Sequence, residues 1–231
     1  MVVLVASFAA SYLLRPPHGT IEGAVRMHRF CRLAVLVLGV RWSVEGRLPS
    51  DGAVVSNHLS YLDILLFSAT RPFVMVAKSE VRAWPLIGWM TAQAGTVYVV
   101  RGAGPSTYSG VNRAMAEAYL SGLPVLFFPE GTTTDGSEVL PFRRGLFHSV
   151  LNEGVALRTA ALAYSVEDRE VSVAKDVCWW GDALLAPHLW KLAGLKGVRA
   201  RVQFGEVIEE RSDRFALSQG ARARIEEMYS S

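Results

Sequence analysis

A histidine and an aspartate five residues apart, in Asn57-His58-Leu59-Ser60-Tyr61-Leu62-Asp63, are residue types that can move a proton off a hydroxyl. An aspartate that accepts one imidazole N–H fixes the tautomer and favours the imidazolium formed when the other ring nitrogen takes a proton. Spacing constrains how the two can meet. Five steps along an ideal helix turn about 500°, leaving the side chains roughly 140° apart, so the pair cannot touch inside one regular helix. His58 is therefore expected to precede a helix and fold back onto Asp63. The substrate's own hydroxyl would then be the nucleophile, with no covalent enzyme intermediate. Spacing alone leaves a second role open, in which Asp63 simply caps the helix.

Two further groups of residues carry charge to places where a ligand could meet it. In Leu126-Phe127-Phe128-Pro129-Glu130-Gly131-Thr132 an apolar run breaks into a proline, an acid and a glycine. A carboxylate there is poorly hydrated and wants a partner. Glu130 can hold an arginine or bind a substrate hydroxyl, Gly131 lets backbone N–H groups approach a ligand, and a loop carboxylate satisfied by a structural arginine is the plainer alternative. Gly95-Thr96-Val97-Tyr98-Val99-Val100-Arg101 ends in an arginine suited to clamping phosphate, or simply exposed after a strand.

The elements that must position these groups follow from apolar patterning. Short runs at Ala53–Ser56, Phe73–Ala77, Thr96–Val100, Pro124–Phe128, Thr159–Tyr164, Glu170–Ala174 and Arg199–Phe204 read as strands. Helical stretches fall at Leu62–Ser68, Trp84–Gln93 and Tyr108–Ser121, and an amphipathic helix closes the chain from about Asp213 to Met228. Strands alternating with helices predict an α/β fold, a single domain with a mostly parallel central sheet flanked by helices. Ligand sites in such sheets lie at the carboxyl ends of strands, where His58, Arg101 and Glu130 all fall.

Composition narrows the partners. With 51% hydrophobic and 19% charged residues in 231, the chain is globular and leans toward membrane contact. Of 24 basic side chains only Lys78, Lys175, Lys191 and Lys196 are lysine, and arginine forks onto phosphate oxygens. A lysine-rich tail, zinc-ligand spacing and a basic helix with interleaved aromatics are all lacking, so nucleic acid is not expected as a partner. Cys31 and Cys178 suggest free, buried thiols, and no metal site is expected. Residues Val2–Leu14 are almost wholly apolar, about 13 residues against the roughly 20 needed to span a bilayer. A second apolar stretch, Leu33–Val40, follows Arg26, His28, Arg29 and Arg32. Residues 1–45 are therefore expected to be a membrane-associating helical segment lying in one leaflet of an anionic surface, and 46–231 the α/β domain. Residues 30–40 fit a core-packing helix as well.

Taken in this order, N-H-x-x-x-x-D at 57–63, G-x-x-[FY]-x-x-R at 95–101 and F-P-E-G-T at 128–132 resemble the signature blocks of the glycerolipid acyltransferase family, which includes the 1-acylglycerol-3-phosphate acyltransferases. Co-occurrence is far more specific than any one block. The resemblance implies transfer of an acyl group from an acyl thioester, acyl-CoA or acyl carrier protein, used as co-substrate and not as a bound cofactor. His58 and Asp63 become catalytic, while Arg101, Glu130, Gly131 and Thr132 bind the lysophospholipid acceptor, with lysophosphatidate the leading candidate. Free cysteines and the cytosolic source of both donors point to the cytoplasmic face of the cell membrane, and the apolar amino terminus to monotopic or peripheral association. Two departures matter. Thr133 stands where the family usually has arginine, so Arg143 and Arg144 are expected to supply the missing charge. The F-P-E-G-T-T variant also resembles bacterial enzymes that acylate lyso-ornithine lipid. The family's proline-flanked fourth block is replaced by Leu157–Tyr164, and no site residue is assigned there. From a different class, a catalytically silent membrane-binding module would share the apolar amino terminus and the arginine bias.

Overall fold

The computed structural model describes residues 2–100 and 105–231. In chain order the elements are α1 (Val2–Leu14), α2 (Thr20–Val37), β1 (Arg41–Glu45), β2 (Ala53–Ser56), α3 (Tyr61–Thr70), β3 (Val74–Lys78), α4 (Ile87–Gln93), β4 (Val97–Val99) and α5 (Pro105–Leu120). They continue with β5 (Val125–Phe127), α6 (Phe147–Asn152), β6 (Leu157–Val166), α7 (Leu185–Gly194), β7 (Val198–Val207) and α8 (Arg214–Ser230).

One seven-stranded sheet runs in the order β1-β7-β6-β2-β5-β3-β4. Every neighbouring pair is parallel except β6 and β7. The mostly parallel α/β sheet expected from the sequence is therefore present. Alternation along the strands divides the core in two. Val54 and Leu126 point to the face covered by α2 and α3, while their chain neighbours Ala53, Val55, Val125 and Phe127 point to the face covered by α5, α6 and α8. Leu62, Leu66 and Phe67 of α3 are fully buried on the first face, each worth about 1.5–3 kcal/mol over exposure. On the second, Leu217, Ala221, Ile225 and Met228 form one stripe of α8, whose first turn is capped by Asp213 accepting from the N–H groups of Phe215 and Ala216.

β2 is central because it carries the chain to His58. Its start is fixed by Gly52, whose φ of +72° is left-handed and whose missing Cβ would lie 2.6 Å from the Ala156 carbonyl. That approach lets the Ala53 N–H reach Ala156 O while the Val125 N–H reaches Gly52 O, locking β2 between β6 and β5.

Several elements differ from the sequence expectation. Glu170–Ala174 is not a strand: the Asp176 carboxylate takes the Ser172 N–H at 2.7 Å, and Val173–Val177 closes into a π-helical turn. The helix expected at Trp84–Gln93 begins only at Ile87. Pro85 keeps Trp84 extended (φ −72°, ψ 129°), and a short 3-10 turn, Ser79–Ala83, precedes it. β1, α6 and α7 were not anticipated. β1 is an edge strand with mostly exposed residues, so it has no apolar alternation to announce it. Arg101 and its expected clamp lie outside the described residues.

At the amino terminus, α1 packs Phe8 and Tyr12 against Phe30 of α2 and Trp89 of α4. α2 buries Phe30, Cys31, Ala34 and Val35, and leaves Leu33, Leu36 and Val37 exposed. Among the described residues no helix is long and apolar enough to cross a membrane. Cys31 and Cys178 are free and buried, and burial pushes both thiols up to about 12.

Candidate active site

At the carboxyl end of β2 the chain is held before it turns. Asn57 pairs edge-on with the backbone of Leu162 in β6: its Nδ2 donates to Leu162 O and its Oδ1 accepts from Leu162 N–H, both at 2.9 Å. His58 then leaves the sheet ahead of α3, as the five-residue spacing requires. Its Nδ1 lies 2.7 Å from Asp63 Oδ2. The same oxygen accepts from the backbone N–H groups of Leu59 (2.6 Å) and Ser60 (3.0 Å), so Asp63 also caps α3. Both roles left open by the sequence are filled by one carboxylate.

This arrangement fixes the tautomer. Backbone N–H groups can only donate, so Oδ2 is an acceptor and Nδ1 must carry the proton it shares with it. Nε2 is left with its lone pair and, among the described residues, without a hydrogen-bond partner. The ring is stacked on Phe128 at 3.9 Å and 11°, which fixes its plane, and the side chain keeps 15% of its surface open.

Glu130, at the end of the neighbouring β5, joins the same unit from behind. Its Oε1 accepts the His58 N–H (2.7 Å) and its Oε2 the Leu140 N–H (2.9 Å), while Thr134 N–H returns a bond to His58 O (3.0 Å). Only 3% of Glu130 is exposed. Burial pushes its carboxyl up to about 7, against the opposing pull of those two N–H groups. Glu130 thus grips the main chain of the histidine, and among the described residues no arginine forms an ion pair with it.

The remaining expected residues lie around this unit at different distances. Gly131 has φ +74°, and a Cβ there would fall 2.6 Å from Arg143 Nε, so the Arg143 side chain lies directly over the glycine. Arg143 N–H donates to Pro129 O, which seats it against the loop, and its exposed guanidinium has no carboxylate partner among the described residues. Thr132 is exposed beside it. Arg144 turns away and stacks on Phe215 at 5.3 Å.

The relationship to known proteins agrees with this geometry. A family model described as Acyltransferase matches residues 41–163, more than half of the chain. The chain belongs to that family. It is 36% identical over 167 residues to a lyso-ornithine lipid O-acyltransferase of Rhodobacter capsulatus, covering 70% of this chain and 59% of that protein. It is 35% identical over 171 residues to a 1-acyl-sn-glycerol-3-phosphate acyltransferase of Neisseria meningitidis, covering 73% and 66%. The chain thus spans about three-fifths to two-thirds of the length of these relatives. The crystal structure of PlsC, the 1-acyl-sn-glycerophosphate acyltransferase of Thermotoga maritima, superposes with a TM-score of 0.64 at 18% identity, covering 99% of this chain and 94% of that one, and so shares the acyltransferase fold.

Three groups at or near this site escaped the sequence reading. Tyr164 of β6 donates its hydroxyl to Asp63 Oδ1 at 2.6 Å. It belongs to the segment whose match to the family is weakest, and a contact over 101 residues has no local signal. Lys78 ends β3, which pairs with β5 at Val74–Val125 and Met75–Leu126. Its ammonium lies 5.7 Å from the Trp84 ring. As one of only four lysines, placed at a strand's carboxyl end, it was open to discovery. Finally, Trp179 N–H donates to Leu59 O, and Tyr61 meets Trp179 edge-on. His188 Nε2 faces the Cys178 carbonyl and must donate, so its Nδ1 accepts from Tyr61 O–H at 3.0 Å. Burial, the largest influence, holds this imidazole below its ordinary value.

Proposed function

We propose that the protein is an O-acyltransferase that moves a fatty acyl group from an acyl thioester to the free hydroxyl of a lysophospholipid. His58 is the general base and Asp63 its orienting partner. The observation that carries this reading is the single fixed tautomer of His58, with an open Nε2 that no serine or cysteine among the described residues approaches by hydrogen bond. In a serine hydrolase the enzyme's own hydroxyl would sit there. Here that place is free for the acceptor.

The acceptor hydroxyl donates its proton to Nε2 as its oxygen attacks the thioester carbonyl, giving a tetrahedral oxyanion and an imidazolium stabilised by Asp63. Collapse forms the ester and expels the thiolate, which takes the proton back from His58. Acyl-CoA and acyl carrier protein both fit as donor, and neither step calls for a metal. Glu130 acts through the His58 main chain. Arg143 lies over Gly131 and beside Thr132, and supplies the cation that Thr133 lacks. Arg144, stacked on Phe215, is not placed to share this role, and Arg101 is retained as an acceptor-binding residue on the family resemblance alone.

Lysophosphatidate, 1-acyl-sn-glycerol-3-phosphate, is the acceptor taken first, because an unpaired arginine suits phosphate. A second reading, lyso-ornithine lipid, is favoured by Thr133 in F-P-E-G-T-T and by the Rhodobacter relative. Its ornithine carboxylate would use the same cation. Thiol release from palmitoyl-coenzyme A, followed with each acceptor in turn, decides between them. The account expects release that depends on one of the two lysolipids. Release that needs neither would make the protein a thioesterase.

Membrane association is part of the same proposal. α2 presents Leu33, Leu36 and Val37 outward with Arg29 and Arg32 exposed beside them, a combination suited to an anionic bilayer surface. Within residues 1–45, α1 and α2 would lie on the membrane in monotopic or peripheral fashion, while Arg41–Glu45 is an edge strand of the sheet. The cytoplasmic face is where both donors are found.

A further inference from the structure

Asp63 is buried with its two oxygens doing different work. Oδ2 takes three N–H groups, including that of the imidazole, and Oδ1 takes one O–H, from Tyr164. A carboxylate can rotate or swap its oxygens unless both are engaged. Tyr164 removes that freedom. It sits on β6, which is itself tied to the start of the site by the Asn57–Leu162 pair two residues earlier, so its hydroxyl is delivered by the sheet and not by a loop. Burial and the adjacent Asp63 charge hold the phenol protonated, far above its ordinary value, so it acts as a constant donor.

We propose that Tyr164 is the third member of the proton relay, a positioning residue that pins Asp63 through Oδ1 and, by sharing the carboxylate's charge, sets how tightly His58 holds a proton. The proposal rests on the reading of His58 as the base. A hydrogen bond to the carboxylate draws charge away from the imidazole, so losing it lets Asp63 favour the imidazolium more strongly. The base then becomes available only at higher pH. Other titratable groups face the pair: Tyr61 on α3, Cys178 after the π turn, Glu130 beyond β5 and Tyr229 on α8. Tyr61, Cys178 and Tyr229 are all raised by burial and stay neutral, and Glu130 is the same in every arm below.

The test is the pH profile of kcat/KM in the full-length protein, with palmitoyl-coenzyme A as donor and lysophosphatidate and lyso-ornithine lipid as parallel acceptors. In Tyr164→Phe the acid limb should move up by roughly half a pH unit or more, with kcat lower by about tenfold. Replacing Tyr164 by 3-fluorotyrosine keeps the shape, so it tests the idea even if the phenylalanine variant folds poorly. Its more acidic phenol donates more strongly, and the limb should move down. Limbs that stay at the wild-type position in both variants, whatever happens to kcat or yield, would reduce Tyr164 to a packing role and overturn the proposal. His58→Ala in the same assay separates the two claims. Full turnover there removes the base, and the relay with it. Lost turnover in His58→Ala together with unmoved limbs in the tyrosine variants sinks the Tyr164 assignment alone.

Discussion

The corner Asn57–Asp63 and the loop Glu130–Arg144 both follow strands of the same sheet and meet at His58, but they are built differently. In the corner, the Asn57 and Asp63 side chains are buried, and each of their oxygens accepts a hydrogen bond. In the loop, one buried carboxylate, Glu130, anchors the base, while Thr132, Arg143 and Arg144 stand exposed. The lesson is a division of labour. Under the proposed function the corner handles the proton and tolerates no slack, because a base must sit within hydrogen-bond reach of one hydrogen. The loop, as the proposed acceptor side, could then change charge and reach without disturbing it. That is consistent with a family whose members bear the names of a phosphate-bearing and an ornithine-bearing acceptor.

The sharpest way to break this contrast is to damage the corner without changing its shape. Asp63→Asn presents an amide where Oδ2 now accepts three N–H groups, so the imidazole loses its tautomer. Measured at saturating acceptor, kcat should fall by about 10³–10⁴ while KM changes little. A comparable rise in KM would mean that Asp63 handles the acceptor and that the division is false.

Next comes the join between the two regions. Glu130 has an ordinary value of 4.5 and is raised to about 7 in the folded protein. Between those values the folded state binds more proton than the unfolded one, so stability falls as pH rises through this window. Urea titrations from pH 4.5 to 7.5 should show wild type losing up to about 3 kcal/mol relative to Glu130→Gln, a variant without the titrating group. A constant difference between the two proteins across that range would show that the carboxylate is ionised in the fold throughout.

The smallest effect belongs to the loop. Arg143→Ala removes an exposed cation and leaves the corner untouched. Acceptor KM should rise by about tenfold with kcat nearly unchanged, as expected for one charge-assisted hydrogen bond. A fall in kcat with constant KM would move Arg143 from acceptor binding into the chemical step.

What could be read from the chain beforehand follows the same divide. His58, Asp63 and Glu130 lie within short blocks in which residue type and spacing carry the information, and the fold-back of His58 followed from helix geometry alone. The arginine expected as one partner of Glu130 is not paired with it among the described residues. An acid after an apolar run must find donors, but the sequence does not say that these are the main-chain N–H groups of His58 and Leu140, 72 and ten residues away. Tyr164 was invisible for the same reason, since only the pairing of β2 with β6 brings it to Asp63. In the fold, buried strands announced themselves by apolar runs. The exposed edge β1 did not, and the apolar-looking Glu170–Ala174 was diverted into a turn by one carboxylate, Asp176.

The central claim is that His58 takes the acceptor's proton through a freely accessible Nε2. Its most direct test is lysolipid-dependent thiol release from palmitoyl-coenzyme A by wild type and by His58→Ala, with both proteins shown to be folded by circular dichroism. The account predicts a loss of at least about 10³-fold in the variant. Release by a folded His58→Ala protein at the wild-type rate would contradict it.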